Sequence, residues 1–181
     1  MRYGLVGSEM CIRDRPIWDG AISFTEGVSE LDNLIDADSS PILEGNRIYT
    51  VNFQGNLSVF DAAQRRAVWE SKESSFYEPF ILRGVLGIVS ADSKISTYSS
   101  RTFEDSWKLE EYALRELSNP ETHKGYILVG DFEGYIHAID PLTGITVARK
   151  KISRSKIITL ISRSDSFYAI DEKMRLFSLS F

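Results

Sequence analysis

The chain has 181 residues, 43% of them hydrophobic and 26% charged, with a net charge of −5. This is the size and balance of one ordinary globular domain. The negative charge argues against nucleic-acid binding, which needs a basic patch, and no run of about 18 apolar residues exists to span a membrane as a helix.

Residues 1–15, MRYGLVGSEMCIRDR, stand outside any pattern. They lack the apolar core of a signal peptide. The run VGSEMCIRDR resembles a translated sequencing-adapter sequence, so residues 1–15 are expected to be a non-native tail and the native start to be missing. The single cysteine, Cys11, lies in that tail and leaves a body without thiols. Such a body suits an oxidising compartment, although many cytosolic domains also lack cysteine. Cys11 has no apolar run before it and is not read as a lipid-attachment site. Residues 16–38 open with Pro16-Ile17-Trp18, the expected end of a preceding repeat, and continue as a polar connector read as a long surface loop.

Repeats fill the rest, over 39–71, 79–110, 119–152 and 157–181. Gly55, Ser93 and Gly134 mark one hairpin turn at spacings of 38 and 41, and Met174 follows 40 later. Asp61, Ser99 and Asp140 mark a second turn at the same 38 and 41, as do Trp69, Trp107 and Ala148 at a strand end. A period near 40 with several short strands per unit predicts the blades of a β-propeller. Local composition agrees. Residues 47–51 and 57–60 are rich in β-branched and aromatic side chains around the turn Asn52-Phe53-Gln54-Gly55-Asn56. A lone hairpin cannot bury both faces, whereas stacked sheets can. The stretch EEYALREL, 110–117, reads as a turn or two of helix in an interblade loop. Trp69 and Trp107 are expected to dock on the neighbouring blade, and Trp18 to be the same residue of the preceding one.

Asp140-Pro141-Leu142-Thr143-Gly144, with the tryptophan that follows the same turn in other units, resembles the pyrroloquinoline-quinone-type repeat. The copies are degenerate: Arg65 stands where the first unit needs glycine, and Ala148 replaces the tryptophan in the third. Longer segments resemble the BamB family of outer-membrane assembly lipoproteins: Leu34-Ile35-Asp36-Ala37-Asp38-Ser39-Ser40-Pro41, Gly45-Asn46-Arg47-Ile48-Tyr49, Gln54-Gly55-Asn56-Leu57, and above all Leu128-Val129-Gly130-Asp131-Phe132-Glu133-Gly134-Tyr135-Ile136-His137. The resemblance implies an all-β fold, about 3.5 four-stranded blades of an eight-bladed propeller. It implies a non-enzymatic scaffold of the β-barrel assembly machinery on the periplasmic side of the outer membrane, held there by a lipid anchor upstream of this chain. Its partners would be the periplasmic domains of the barrel-forming subunit and nascent outer-membrane proteins. The family's acidic contact pair for that subunit matches Asp36 and Asp38; its leucine and arginine contact loop would lie upstream.

Read from the residues alone, Asp36 and Asp38 are either solvated loop carboxylates or a partner contact. They do not start a calcium loop, because Pro41 and Arg47 stand where glycine and glutamate are required. Asp131-Phe132-Glu133-Gly134 matches the D-x-x-G of GTPases, but without a phosphate-binding loop it reads as a hairpin turn. His123, placed in a polar loop, and His137, placed on a strand, have no ligand at metal spacing. No nucleophile elbow is present, so no catalytic residue, metal or cofactor is expected. The run Arg149-Lys150-Lys151, with Arg154 and Lys156, is either a solvated loop or a contact for anionic lipid or an acidic partner. The competing functional readings are a quinoprotein dehydrogenase fragment, which shares the repeat, and a generic propeller interaction or sensor domain.

Overall fold

Four antiparallel sheets follow one another along the chain, each a simple meander of consecutive strands. The structure, a computed structural model, describes residues 39–53 and 55–180. The first sheet holds β1 (Ile42–Glu44), β2 (Arg47–Val51), β3 (Leu57–Asp61) and β4 (Arg66–Ser71). The second holds β5 (Phe80–Leu82), β6 (Val85–Val89), β7 (Ile95–Ser99) and β8 (Asp105–Leu109). The third holds β9 (Glu121–His123), β10 (Tyr126–Gly130), β11 (Tyr135–Ile139) and β12 (Thr146–Lys151). The fourth has three strands, β13 (Ile157–Arg163), β14 (Ser166–Asp171) and β15 (Leu176–Leu179). The expected all-β partial propeller is the fold that forms.

The turns explain why degenerate sequences give equivalent blades. Between the second and third strands, one backbone bond recurs in all four sheets: Gly55 N to Asn52 O, Ser93 N to Ser90 O, Gly134 N to Asp131 O and Met174 N to Asp171 O, at 3.4, 2.9, 3.2 and 2.8 Å. Ser93, Gly134 and Met174 take φ of 67°, 84° and 59°. Between the third and fourth strands, Arg65 N, Phe103 N and Gly144 N donate to the carbonyls of Asp61, Ser99 and Asp140 at 2.8, 2.8 and 2.9 Å. All three donors are left-handed, at 55°, 62° and 72°. Asp140 Oδ1 also accepts from Leu142 N and Thr143 N, and Asp61 Oδ1 from Ala63 N and Gln64 N, at 2.8 to 3.0 Å. An Asx turn of this kind fixes the chain reversal by itself. It therefore holds Arg65 in a conformation where glycine would sit more easily.

The sheets bury one another. β6 is buried at all five positions, and β10 and β11 at four of five each. Strands covered on both faces cannot alternate apolar with polar, and these read VLGIV, YILVG and YIHAI. Tyr49, Val51, Leu57 and Val59 of the first sheet pack with Leu86, Ile88 and Tyr98 of the second. Phe80, Val89 and Ile95 of the second pack with Ile127, Val129 and Ile139 of the third. Leu128, Ile136 and Ala138 of the third pack with Ile157, Leu160, Phe167 and Ala169 of the fourth. At Gly130 a Cβ would lie 2.4 Å from Ile157, so only glycine lets the third and fourth sheets close to this distance.

Trp69 and Trp107 close the outer end of these interfaces. The Trp69 ring lies 4.9 Å from Tyr98 and stacks at 5.2 Å on Phe103, both in the second sheet's span. Trp107 Nε1 donates to Pro141 O at 2.8 Å, and its ring lies where a Cβ on Gly144 would approach to 2.8 Å. Trp18 falls outside the described residues.

The 110–117 stretch is an interblade loop but not a helix. Leu114 and Glu116 take φ of 63° and 48°, which interrupts any helical run. Tertiary anchors override its propensity: Tyr112 and Leu117 are buried between the second and third sheets, and Arg115 reaches to Asp131.

Replacing Trp107 with alanine removes the packing on Gly144 and the bond to Pro141. The expected loss is about 3 kcal/mol, read as a lower denaturant midpoint in urea titration. Replacing the exposed Arg101 should change stability by no more than about 0.5 kcal/mol.

Candidate functional site

Asp36 and Asp38 lie outside the described residues. The description begins at Ser39, whose hydroxyl donates to Val51 O of β2 in the first sheet. On the described part, the residues singled out in the sequence gather around the third sheet.

Asp131 directly follows the second strand of that sheet and is fully buried. Its Oδ1 accepts from Glu133 N at 3.0 Å and Tyr135 N at 2.9 Å. Its Oδ2 accepts from Arg115 Nη2 at 2.7 Å and Nε at 3.2 Å, and lies 2.9 Å from His137 Nε2. A carboxylate can only accept here, so the His137 proton sits on Nε2. Arg115 Nη2 also donates to Glu133 Oε2 at 2.5 Å. Burial alone would raise the Asp131 pKa, but the His137 and Arg115 bonds and the Tyr135 amide outweigh it and lower it to about 2. The D-x-x-G match is thus a hairpin turn built on a buried ionised aspartate.

Asp171 repeats the device in the fourth sheet. Its Oδ1 accepts from Lys173 N and Arg175 N, both at 3.0 Å. Its Oδ2 accepts from Arg175 Nε at 2.8 Å and Ser153 Oγ at 2.7 Å. Burial would raise this pKa too; Arg175 and Ser153 hold it well below the usual carboxylate range. In the second sheet a neutral hydroxyl does the job, with Ser90 Oγ accepting from Lys94 N at 3.1 Å. The 40-residue spacing of Asp131 and Asp171 was visible in the sequence and is the signal that reveals this role.

The two histidines are structural parts of sheet interfaces. His123 ends β9 and is 3% exposed rather than lying in a polar loop. It meets Ser162 Oγ at 2.8 Å through Nδ1, and its ring lies 5.4 Å from Phe167. The basic run is the exposed outer strand β12 and its exit, not a loop. Arg149 and Lys151 lie on one face, 5.0 and 4.8 Å from the Tyr135 ring. Lys156 pairs with Glu116 at 2.7 Å.

The first strands of three sheets line a cavity of about 350 Å³ that holds Glu44, Glu78 and Glu121. Burial, and then repulsion from Glu78, raise the Glu121 pKa. Among the described residues, no three of His, Cys, Asp or Glu come together as a metal-binding set.

The Asp131 pKa of about 2 lies below its ordinary 3.8. Its stabilisation is therefore complete above about pH 5 and is lost as pH falls through 3.8 towards 2. Asp131→Asn should remove about 2 kcal/mol of that acid dependence. Urea titrations at a series of pH values from neutral down to 2 would show a flatter profile for the variant, and parallel profiles would contradict the assignment.

Comparison with known proteins fits this geometry. A family model described as outer membrane protein assembly factor BamB matches residues 13–109. The protein of that name from Shewanella oneidensis is 34% identical over 78% of this chain and 36% of its own length. That from Pseudomonas aeruginosa is 30% identical over 77% of this chain and 37% of its own. The crystal structure of BamB from Moraxella catarrhalis superposes with a TM-score of 0.84 at 25% identity, over 92% of this chain and 50% of that one. The chain thus spans between about a third and a half of the length of these relatives. With more than half its residues matched by the family model and its fold matched by a solved member, the chain belongs to the BamB family of outer membrane protein assembly factors.

Proposed function

We propose that this chain is part of a non-enzymatic scaffold that assists assembly and insertion of outer-membrane proteins, working on the periplasmic face of the outer membrane through a lipid anchor. The family match, joined to the superposition on a family member, is the observation that carries the reading. The chemistry of the buried acids supports it. Asp131 and Asp171 spend their acceptor positions on turn amides and arginines, which leaves them no proton-transfer role.

Asp36 and Asp38 are the proposed contact with the barrel-forming subunit's periplasmic domains. Carboxylates two residues apart in sequence can pair with arginine or lysine across an interface. Nascent outer-membrane proteins are the further proposed partners.

Charge reversal, Asp36→Lys with Asp38→Lys, should weaken binding to those domains by about tenfold or more in calorimetric titration. Unchanged affinity would remove both residues from the contact. Dye-linked alcohol or sugar oxidation on adding quinone and calcium would favour a dehydrogenase instead; none is expected.

A further inference from the structure

A cavity of about 310 Å³ lies between the 110–117 loop and the outer half of the third sheet. Glu111, Tyr112 and Arg115 line it from the loop, and His137, Thr146 and Arg149 from β11 and β12. All six lie well inside the described chain, with the second sheet before them and the fourth after. Strand register orders the walls. Tyr135 pairs with Lys151 and His137 with Arg149, so these four share one face of the sheet, while Ala148 and Lys150 take the other.

The hydrogen bonds of the lining leave acceptors in excess. His137 donates its Nε2 proton to Asp131, so Nδ1 is a bare acceptor. The residue is 2% exposed, and Nδ1 has no hydrogen-bond partner among the described residues. Thr146 Oγ1 donates to Glu111 Oε1 at 3.3 Å. Its one hydrogen is then used, so in the 2.5 Å pair of Tyr112 and Thr146 hydroxyls the phenol is the donor. Glu111 Oε2 and the Tyr112 oxygen therefore remain as acceptors without a donor among the described residues. One cation is available beside them. Arg115 is engaged by Asp131 and Glu133, whereas Arg149 has no carboxylate partner among the described residues. Arg149 lies 5.0 Å from the Tyr135 ring, and stacking of that kind occupies the face of a guanidinium and leaves its N–H edge for a carboxylate.

We propose that this cavity binds a small zwitterion, a free α-amino acid, with its ammonium held by Glu111, the Tyr112 oxygen and His137 Nδ1 and its carboxylate held by Arg149. Three acceptors match the three N–H donors of an ammonium, and one anion and one cation match the ligand's two charges. A simple anion would meet Glu111, and a simple cation would meet Arg149. A buried acceptor without a donor is costly, and a ligand N–H removes that cost. The Tyr112 ring lies 4.7 Å from the imidazole and belongs to the loop, so the loop is the element that yields when the donor enters. The volume is at the small end of the ligand-pocket range, which suits a molecule of this size. Nothing here depends on whether Asp36 and Asp38 contact a partner.

The test screens the purified full chain against the common amino acids, one at a time, by ligand-observed NMR. Saturable binding by at least one is expected. Analogues of the best binder that lack either the carboxylate or the ammonium should bind about tenfold more weakly or worse. Arg149→Gln and Glu111→Gln should each weaken binding by about tenfold. Both side chains are exposed, so the melting temperature should hold in both variants. Lys150→Gln, on the opposite face of β12, should leave binding unchanged. On saturation the nitrogen resonance of His137 Nδ1 should move as it gains a donor, a response that a merely structural histidine would not give. Absence of saturable binding by every amino acid overturns the proposal. So does equal binding of either single-charge analogue, an equal response of Arg149→Gln and Lys150→Gln, or an Nδ1 resonance that stays fixed. Binding of inorganic phosphate or a sugar acid, with no amino acid bound, would assign the cavity to anions and overturn it too.

Discussion

Face-to-face packing of consecutive sheets is the constraint on which the rest depends. A single meander of short strands has two large faces and cannot bury both. Here each interior sheet is covered by the one before and the one after, which is why β6 and β10 are buried on both sides. The arrangement demands close approach at chosen points. Gly130 lets Ile157 reach the backbone of β10, and Gly144 supplies both a left-handed turn and the floor under Trp107. Changing either would push two sheets apart rather than disturb one loop.

The packing works only if each sheet presents the same outline, and the turns enforce that. The donor at the second-to-third strand turn can be glycine, serine or methionine, yet its bond to the residue three earlier is kept. The cost of a left-handed non-glycine residue is of order 1 kcal/mol, small enough for a side-chain cap to offset. The caps grade with burial of charge: Ser90 in the second sheet is neutral, while Asp131 and Asp171 are ionised and carry arginine partners. An ionised acid at 0% exposure survives only because every oxygen has a donor. The interblade loop is recruited to that end, since Arg115 leaves any helical path to reach Asp131.

This explains what could be read in the sequence and what could not. Period, turn positions and the docking of Trp69 and Trp107 were legible, because each rests on a local rule with a fixed offset. The Arg115–Asp131–His137 cluster was not, because it joins a loop to a hairpin 16 residues away, and the D-x-x-G frame drew attention to the wrong property of Asp131. His123 was misplaced because its neighbours Glu121, Thr122 and Lys124 are polar; its burial comes from the fourth sheet, through Ser162 and Phe167. The short first strands were implied by four-stranded blades but not placed. Three residues give too little period to detect, although Gly45, Gly84 and Gly125, at left-handed φ of 60°, 79° and 86°, mark their turns at spacings of 39 and 41. The expected contact pair, Asp36 and Asp38, falls outside the described residues.

A fold of this kind separates framework from function in a physically necessary way. Central strands covered on both faces can carry almost no free polar group, so any group able to recognise a partner must sit on a loop, an innermost strand or an outer strand. The first strands carry Glu44 and Glu121, and β12 carries three cations. The buried acids that remain inside are saturated with hydrogen bonds, and an acid with no lone pair to spare cannot accept a proton from a substrate. Exposed charge on β12, with Asp131 and Asp171 engaged inside in holding turns, is a distribution suited to recognition at the surface.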